Sequence, residues 1–113
     1  MEYTAEKITD IIVEANAAAH KAATEYLNTH YQGDDVGACG FAWVNIWGIK
    51  GNTKLGRQMK KVFGGKEYNG AYQMWNPSGL GVQNIDVKEA GAKAAAEVLK
   101  AYGFKAYAGS RLD

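Results

Sequence analysis

The segment "CGFAWVNIWGIKGN" (residues 39–52) decides the fold of this 113-residue chain, because it places three aromatic and three β-branched residues within nine positions. Such residues favour extended backbone, and the pattern predicts a strand over residues 38–49. Alternate side chains of a strand point to opposite faces. One face would carry Phe41, Trp43, Asn45 and Trp47. The other would carry Ala42, Val44 and Ile46. Because both faces are apolar, we expect a central strand that is covered on both sides.

One helix is expected before this strand in the sequence and another after it. Apolar residues recur at intervals of three and four over residues 4–29, with Thr4 as the cap and alanine at most positions of the apolar stripe. An alanine stripe lets its partner approach closely, or it requires a partner with large side chains. After the strand, Asn52 or Thr53 can cap a short second helix that ends at a pair of glycines.

A third helix has the clearest boundaries in the chain. Asp86 and Glu89 fit a capping box, in which each side chain accepts a hydrogen bond from an amide of the first turn. Gly103 stands where a left-handed residue commonly ends a helix. Arg111, near the end of the sequence, either pairs with an acid such as Asp86 or is left for a partner, and we favour the pairing.

Two shorter strands complete the pattern. They are "AYQMWN" (71–76) and "FKAYAGS" (104–110), and each has polar residues on one side only, Gln73 and Lys105, which indicates edge strands. The order α-β-α-β-α-β predicts a single small α+β domain spanning residues 1–113. We expect a three-stranded mixed sheet with strand 38–49 central, three packing helices, and a parallel crossover through the third helix.

The composition is that of an ordinary globular protein, with 47% hydrophobic and 22% charged residues. A single cysteine excludes an internal disulfide, and no signal peptide or membrane-spanning run is recognised. We therefore expect a cytoplasmic protein with no membrane partner.

Charge is unevenly distributed along the chain. Residues 1–35 hold seven acidic and two basic residues, whereas residues 36–113 hold eleven basic and five acidic ones. The stretch 50–66 contains six basic residues and no acidic residue. The basic residues are Lys50, Lys54, Arg57, Lys60, Lys61 and Lys66. Such a block attracts anionic partners, but it is also the pattern of a solvated helix face, which is the commoner case.

Three residues are candidates for nucleophilic or metal chemistry: Cys39, His20 and His30. A catalytic cysteine requires a neighbouring base, and no local spacing brings either histidine to Cys39. The two histidines are ten residues apart, which does not fit a helical zinc pair. We expect a buried structural cysteine, no metal and no cofactor, and we favour a protein that is not an enzyme.

The loop "NPSGLGVQNID" (residues 76–86) leads into the third helix. Free amides at a helix N-terminus, with glycines beside them, can hold a phosphate. However, Asp86 opposes an anion there, and the loop lacks the known nucleotide-binding motifs. A structural turn is therefore favoured, and nucleotide binding or a small enzyme using this loop remains an alternative.

The aromatic residues of the strands are the other candidates for binding. Aromatic side chains beside basic residues on a sheet can stack the bases of single-stranded nucleic acid. Trp43 and Trp47 lie on the central strand, where a core position is favoured because large side chains can fill the space opposite alanines. Trp75 and Tyr107 lie on edge strands and could equally serve a partner protein or a homodimer.

Four stretches together resemble small proteins encoded in bacteriophage genomes: "GFAWVNI", "WNPSG", "QNIDVKEAGAKAAAEVLKAYGF" and "AYAGSRLD". The resemblance covers roughly residues 37–113. It implies a phage or prophage setting, expression inside a bacterial cell, and a binder that modifies a host process or an accessory of replication and packaging. It transfers no activity and no site residues.

Three functional hypotheses follow. The first is a non-enzymatic module that binds nucleic acid or a nucleic-acid-handling host complex through Lys54, Arg57, Lys60 and Lys61 together with nearby aromatics. The second is a homodimeric protein–protein interaction module that uses Trp75 and Tyr107. The third is the small enzyme or nucleotide-binding protein built on loop 76–86.

Overall fold

The computed structural model describes residues 2–113, which form three helices and three strands in the predicted order. The helices are α1 (Ala5–Tyr31), α2 (Lys54–Phe63) and α3 (Ile85–Ala101). The strands are β1 (Gly40–Trp47), β2 (Tyr72–Trp75) and β3 (Lys105–Leu112). The α+β class is confirmed, and each element lies where the sequence pattern predicts it, with boundaries that differ by a few residues.

The three strands form one sheet in the order β2-β1-β3, so β1 is central and β2 and β3 are edge strands, as predicted. Both pairs of neighbours are antiparallel, with Val44 opposite Met74 on one side and Ala108 on the other. The prediction of a mixed sheet was wrong in this detail. The connection through α3 does join two strands that run in the same direction, but β1 lies between them, so no parallel pair is hydrogen-bonded.

All the helices lie on one side of the sheet. Helix α3 packs against β1 and β3, α1 packs on α3, and α2 contacts α1 and β2. The sheet face beneath them is buried and consists of Ala42, Val44, Ile46, Tyr72, Met74 and Ala106. We call this the covered face.

The alanine stripe of α1 is used for close approach between helices. Ala15, Ala19 and Ala23 are completely buried. A Cβ added to Gly91 of α3 would lie 3.1 Å from the carbonyl oxygen of Ala19 and 2.8 Å from Cβ of Ser78. Small residues therefore meet small residues across the α1–α3 contact, and the core is filled without the tryptophans of β1.

The expectation that β1 is covered on both sides was wrong. Burial alternates strictly along β1, and the side that carries Trp43 and Trp47 is only partly buried. The side that carries Val44 and Ile46 is buried. Because α1 and α3 pack on each other above a single sheet face, no helix of residues 2–113 is left to cover the other face.

Two helix caps are as predicted and one is not. Thr4 caps α1 and Thr53 caps α2, each accepting from an amide of the first turn. Helix α3 starts earlier than expected, because the Asn84 side chain accepts from the amide of Val87. Asp86 is therefore a first-turn residue and not the cap. At the other end, Gly103 has a φ of 96°, as the prediction of a left-handed residue requires.

Helix α1 is the longest element, with 27 residues. Its charged residues face solvent, whereas Ile8 and Ile11 reach the core beside the alanines. Within the described residues, no helix has both the length and the apolar composition that crossing a membrane requires.

Candidate functional site

The second face of the sheet, which no helix covers, gathers most of the aromatic residues that the sequence singled out. Its members are Phe41, Trp43, Asn45 and Trp47 of β1, Gln73 and Trp75 of β2, and Lys105, Tyr107, Gly109 and Arg111 of β3. We call these ten residues the open face. In the strand register, Trp43 lies between Trp75 and Gly109, and Asn45 lies between Gln73 and Tyr107.

Three of the aromatic rings contact one another at one end of the open face. The rings of Trp43 and Trp75 are stacked, with centroids 5.7 Å apart and an interplanar angle of 3°. The Phe41 ring lies 5.6 Å from Trp75 in a tilted arrangement. Trp75 is 55% exposed and Tyr107 is 51% exposed. A solvated face of an antiparallel sheet is ordinarily polar, so a cluster of partly buried and exposed aromatic rings on this face indicates an interaction site.

Gly109 allows Trp43 to pack directly on the backbone of β3. A Cβ at this position would lie 2.5 Å from Nε1 of Trp43 and 2.8 Å from its Cε2 atom, which is too close for any side chain. The absence of a side chain at Gly109 therefore leaves room for the indole of Trp43 over the edge strand β3.

Asn45, the single polar side chain of β1, finds a partner on the neighbouring strand. Nε2 of Gln73 donates to Oδ1 of Asn45 at 3.3 Å. Among residues 2–113, Nδ2 of Asn45 and Oε1 of Gln73 make no other hydrogen bond, and both amides line a surface cleft. The pair therefore presents one donor group and one acceptor atom to that cleft.

Cations border the aromatic end of the face. The guanidinium of Arg111 lies 5.5 Å from the centre of the Phe41 ring, and Nζ of Lys88 lies 5.4 Å from the same ring. Lys88 is buried and donates to the carbonyl oxygen of Gly40 at 2.9 Å. The predicted pairing of Arg111 with Asp86 was wrong: Asp86 accepts from the Tyr31 hydroxyl at 3.0 Å, while Arg111 lies on the open face.

A cleft of about 290 Å³ lies on the open face beside the loop that precedes β2. Trp43, Trp75, Arg111 and the Asn45–Gln73 pair contribute from the sheet, and Glu67, Tyr68 and Asn69 contribute from the loop. The loop is a tight turn in which the Glu67 amide donates to the Ala71 carbonyl at 2.8 Å. The Asn69 side chain accepts from the Ala71 amide at 3.0 Å.

Tyr68, at the tip of this turn, is fully exposed beside the cleft. These three loop residues were not among the candidates predicted from the sequence. The signal that could have found them is a tyrosine in a polar, glycine-flanked loop immediately before a strand, because an aromatic side chain there has no core to enter.

The basic segment does not join the open face. Lys54, Arg57, Lys60 and Lys61 are all exposed on α2. Lys60 lines a different cavity, of about 310 Å³, together with Lys66 and Tyr72. Burial raises the pKa of Tyr72, whose ring is on the covered face. The four basic residues are thus placed on the helix side of the molecule, and the aromatics Trp43, Trp47, Trp75 and Tyr107 on the opposite side.

The loop 76–86 is held by hydrogen bonds within the loop and by hydrogen bonds to Asp35. The Asp35 carboxylate accepts from the amides of Gln83 and Asn84 at 2.9 to 3.1 Å. The Ser78 hydroxyl accepts from the Leu80 amide at 3.2 Å. The next amides are also engaged, since Ile85 donates to the Ala38 carbonyl and Val87 to the Asn84 side chain, which argues against phosphate binding at the start of α3.

The candidate nucleophile and bases are separated and otherwise engaged. Cys39 is exposed, so the expectation of a buried cysteine was wrong; it precedes β1 and forms an isolated bridge with Asn84. Nδ1 of His20 lies 3.1 Å from the Ser78 carbonyl oxygen, and Nδ1 of His30 lies 3.3 Å from that of Tyr26. Over residues 2–113, no three His, Cys, Asp or Glu side chains form a group that could hold a metal ion.

The open face and its cleft are therefore the best-defined candidate site in the described chain. The resemblance to phage-encoded proteins stays a prediction. Comparisons of the chain with protein-family models, curated proteins and solved structures found no match.

Proposed function

We propose that this protein is a non-enzymatic module that binds single-stranded nucleic acid on its open face. The observation that carries the proposal is the gathering of five aromatic side chains with two cations on one uncovered sheet face: Phe41, Trp43, Trp47, Trp75, Tyr107, Lys105 and Arg111.

Stacking supplies the affinity in this proposal. An unpaired base presents a flat π surface, and aromatic side chains on a sheet are suited to it regardless of base identity. Each stacked base is worth roughly 1–3 kcal/mol. Trp75 and Tyr107 are half exposed and lie on opposite sides of the central strand, so successive bases can cross the sheet from one to the other.

Cations along the same face would contact the phosphates. Arg111 and Lys105 are exposed members of β3 at the two ends of the face, and Nζ of Lys100 lies 5.1 Å from the Tyr107 ring. The first hypothesis drawn from the sequence relied on the basic residues of α2. Because these residues lie on the helix side, we now assign them at most a long-range attraction for the strand and assign direct contact to β3.

The direct test is fluorescence anisotropy with labelled oligo-dT and oligo-U. Replacing Trp75 by alanine should weaken binding about fivefold to 150-fold, as the loss of one stacked base requires. Tyr26→Ala is the matched control, because Tyr26 is an aromatic residue of α1 that stacks on His30 away from the sheet. Affinity should also fall steeply as salt is added.

Comparing a charge-reversal variant of α2 with Trp75→Ala distinguishes binding at the open face from binding at α2. Reversing the charge of Lys60 and Lys61 should reduce affinity at low salt and leave the contribution of Trp75 unchanged. If the charge reversal abolishes binding and Trp75→Ala has no effect, the site is α2 and the proposal is wrong. Equal affinity at low and high salt would also contradict it.

A homodimer is the second candidate, and the half-exposed Trp75 and Tyr107 are the observation that favours it. A second copy packed face to face would bury the same aromatics. Analytical sedimentation at tens of micromolar protein distinguishes the two functions. If the protein is a dimer, if Trp75→Ala dissociates it and if it does not bind oligonucleotides, the homodimer replaces the nucleic-acid proposal.

The resemblance to phage-encoded proteins adds a setting to this proposal, the cytoplasm of a host bacterium. The neighbouring genes test that part independently. Genes for replication, packaging or counter-defence beside this one would support it, and a chromosomal neighbourhood with no phage genes would contradict it.

A further inference from the structure

The cleft on the open face has polar groups of opposite character around its tryptophan pair. Glu67 contributes a carboxylate, which only accepts hydrogen bonds, and Arg111 contributes a guanidinium, which only donates them. Within residues 2–113 neither forms a salt bridge; the two ion pairs, Lys93–Glu89 and Lys100–Glu97, are both within α3. Both charged groups therefore remain available to a molecule in the cleft.

The size of the cleft suits one base. Its volume of about 290 Å³ is at the lower limit of ligand pockets, which run from roughly 300 to 1,000 Å³. The stacked rings of Trp43 and Trp75 supply an aromatic wall. Tyr68, fully exposed on the loop, stands at the rim, where it can cover a base from the solvent side.

The charged pair selects among the four bases. Guanine has two adjacent acceptors, O6 and N7, on one edge, and an arginine donates to both of them. On its neighbouring edge it has two adjacent donors, N1–H and the N2 amino group, which match the two oxygens of a carboxylate. Adenine lacks the acceptor pair, whereas cytosine and thymine or uracil lack the adjacent donor pair.

We propose that this cleft is a guanine-preferring subsite. The base stacks on the Trp43–Trp75 pair, with Arg111 at O6 and N7 and Glu67 at N1 and N2. The free amide groups of Asn45 and Gln73 form hydrogen bonds with the polar atoms of the bound nucleotide that face the sheet. This inference rests on the proposed function, because the subsite holds one base of a bound strand.

The test measures the affinity of oligomers of about nine nucleotides that are all thymine or uracil except for the central base. A single guanine per strand prevents four-stranded structures. The oligomer with central guanine should bind about fivefold to 150-fold more tightly than those with central adenine, cytosine or thymine. Tryptophan fluorescence quenching provides a second readout from the cleft itself.

Two variants assign the preference to the charged pair. Glu67→Gln should reduce the guanine preference, measured as the ratio of the affinities for the central-guanine and all-thymine strands, at least fivefold. Glu25→Gln makes the same change of charge at an exposed position of α1, and it should leave the preference intact. Arg111→Lys keeps the charge but removes the two-pronged contact, so it should lower the preference in the same way.

The outcomes are distinguishable. Equal affinity for all four oligomers, a preference for another base, or a guanine preference that survives Glu67→Gln overturns the subsite and leaves the binding function standing. Failure of every oligomer to bind overturns the proposed function as well.

Discussion

The two sides of β1 invert the usual relation between residue size and burial. On the covered face, β1 contributes Ala42, Val44 and Ile46, none more than 1% exposed. On the open face the same strand contributes larger aromatic residues that are only partly buried. Hydrophobicity alone therefore does not decide which side of a strand is the core. For β1 the space beneath the closely packed α1 and α3 does, because it is filled by small and aliphatic side chains, whereas the buried Tyr72 of β2 lies against α2.

The largest expected effect compares neighbouring residues on the two faces. Ile46→Ala should lower the free energy of unfolding by about 2–5 kcal/mol, because it leaves a cavity in the core. Trp47→Ala should cost less than half as much, although it removes more atoms, since Trp47 points to the open face. Urea denaturation of both variants measures the difference. Equal losses would mean that a partner or another copy covers the open face.

A smaller effect is expected at the start of α3. Asn84→Ala should cost about 1–2 kcal/mol, because the side chain caps the helix and also donates to the Val36 carbonyl oxygen. Asp86→Ala, two residues later, should cost less than half of that. Thermal unfolding of the two variants shows which residue is the cap, and the reverse order would restore the capping box predicted from the sequence.

Gly109→Ala tests whether the open face can be disturbed without harm to the covered face. The added Cβ displaces the Trp43 indole, so we expect a changed tryptophan emission spectrum and weaker oligonucleotide binding. The stability should change by about 1 kcal/mol or less, because the displaced ring is outside the core. Gly81→Ala is the control, since a Cβ there has no heavy atom within 4 Å. A cooperative loss of the whole fold would contradict the separation of the two faces.

The smallest effect is a pH dependence on the covered side. Hydrogen bonds from Ser110, at 2.6 Å, and from Lys93 lower the pKa of Glu89 below its ordinary value of 4.5. A lowered folded-state pKa stabilises the protein above pH 4.5, and the stabilisation is lost as the pH falls through the lowered value. Because Glu89 is partly exposed, the effect should stay below about 1 kcal/mol.

Urea unfolding of the parent protein and of Glu89→Gln, at neutral pH and near pH 3, measures the stabilisation that charged Glu89 contributes. The difference between the two proteins should be present at neutral pH and should shrink in acid. A difference that does not change between the two pH values would show that the charge of Glu89 contributes nothing to stability.

Local patterns in the sequence were sufficient for the elements of the fold. The period of the apolar residues predicted all three helices, and Thr4, Thr53 and Gly103 were recognised at their ends. These features depend on residues within a few positions of one another. The cap of α3 was misplaced because Asn84 is held by Val36 and Asp35, which lie almost fifty residues away.

The site depended on contacts that no local pattern contains. Trp43, Trp47, Trp75 and Tyr107 were candidates from the sequence, yet only the register of three strands puts them on one face. Glu67 and Tyr68 reach that face because a turn folds back beside β2. Arg111 was assigned to the wrong partner, because only the pairing of β3 with β1 shows that its side chain lies on the open face.

The sequence by itself determined the number, order and type of elements, the central position of β1 and the alternation of its two faces. Which face would be buried was decided only by the tertiary structure. Both faces of β1 are apolar, so hydrophobic burial alone favours either. The choice follows from the close packing of α1 on α3, which places all the helices on one side and leaves the aromatic side of the sheet open.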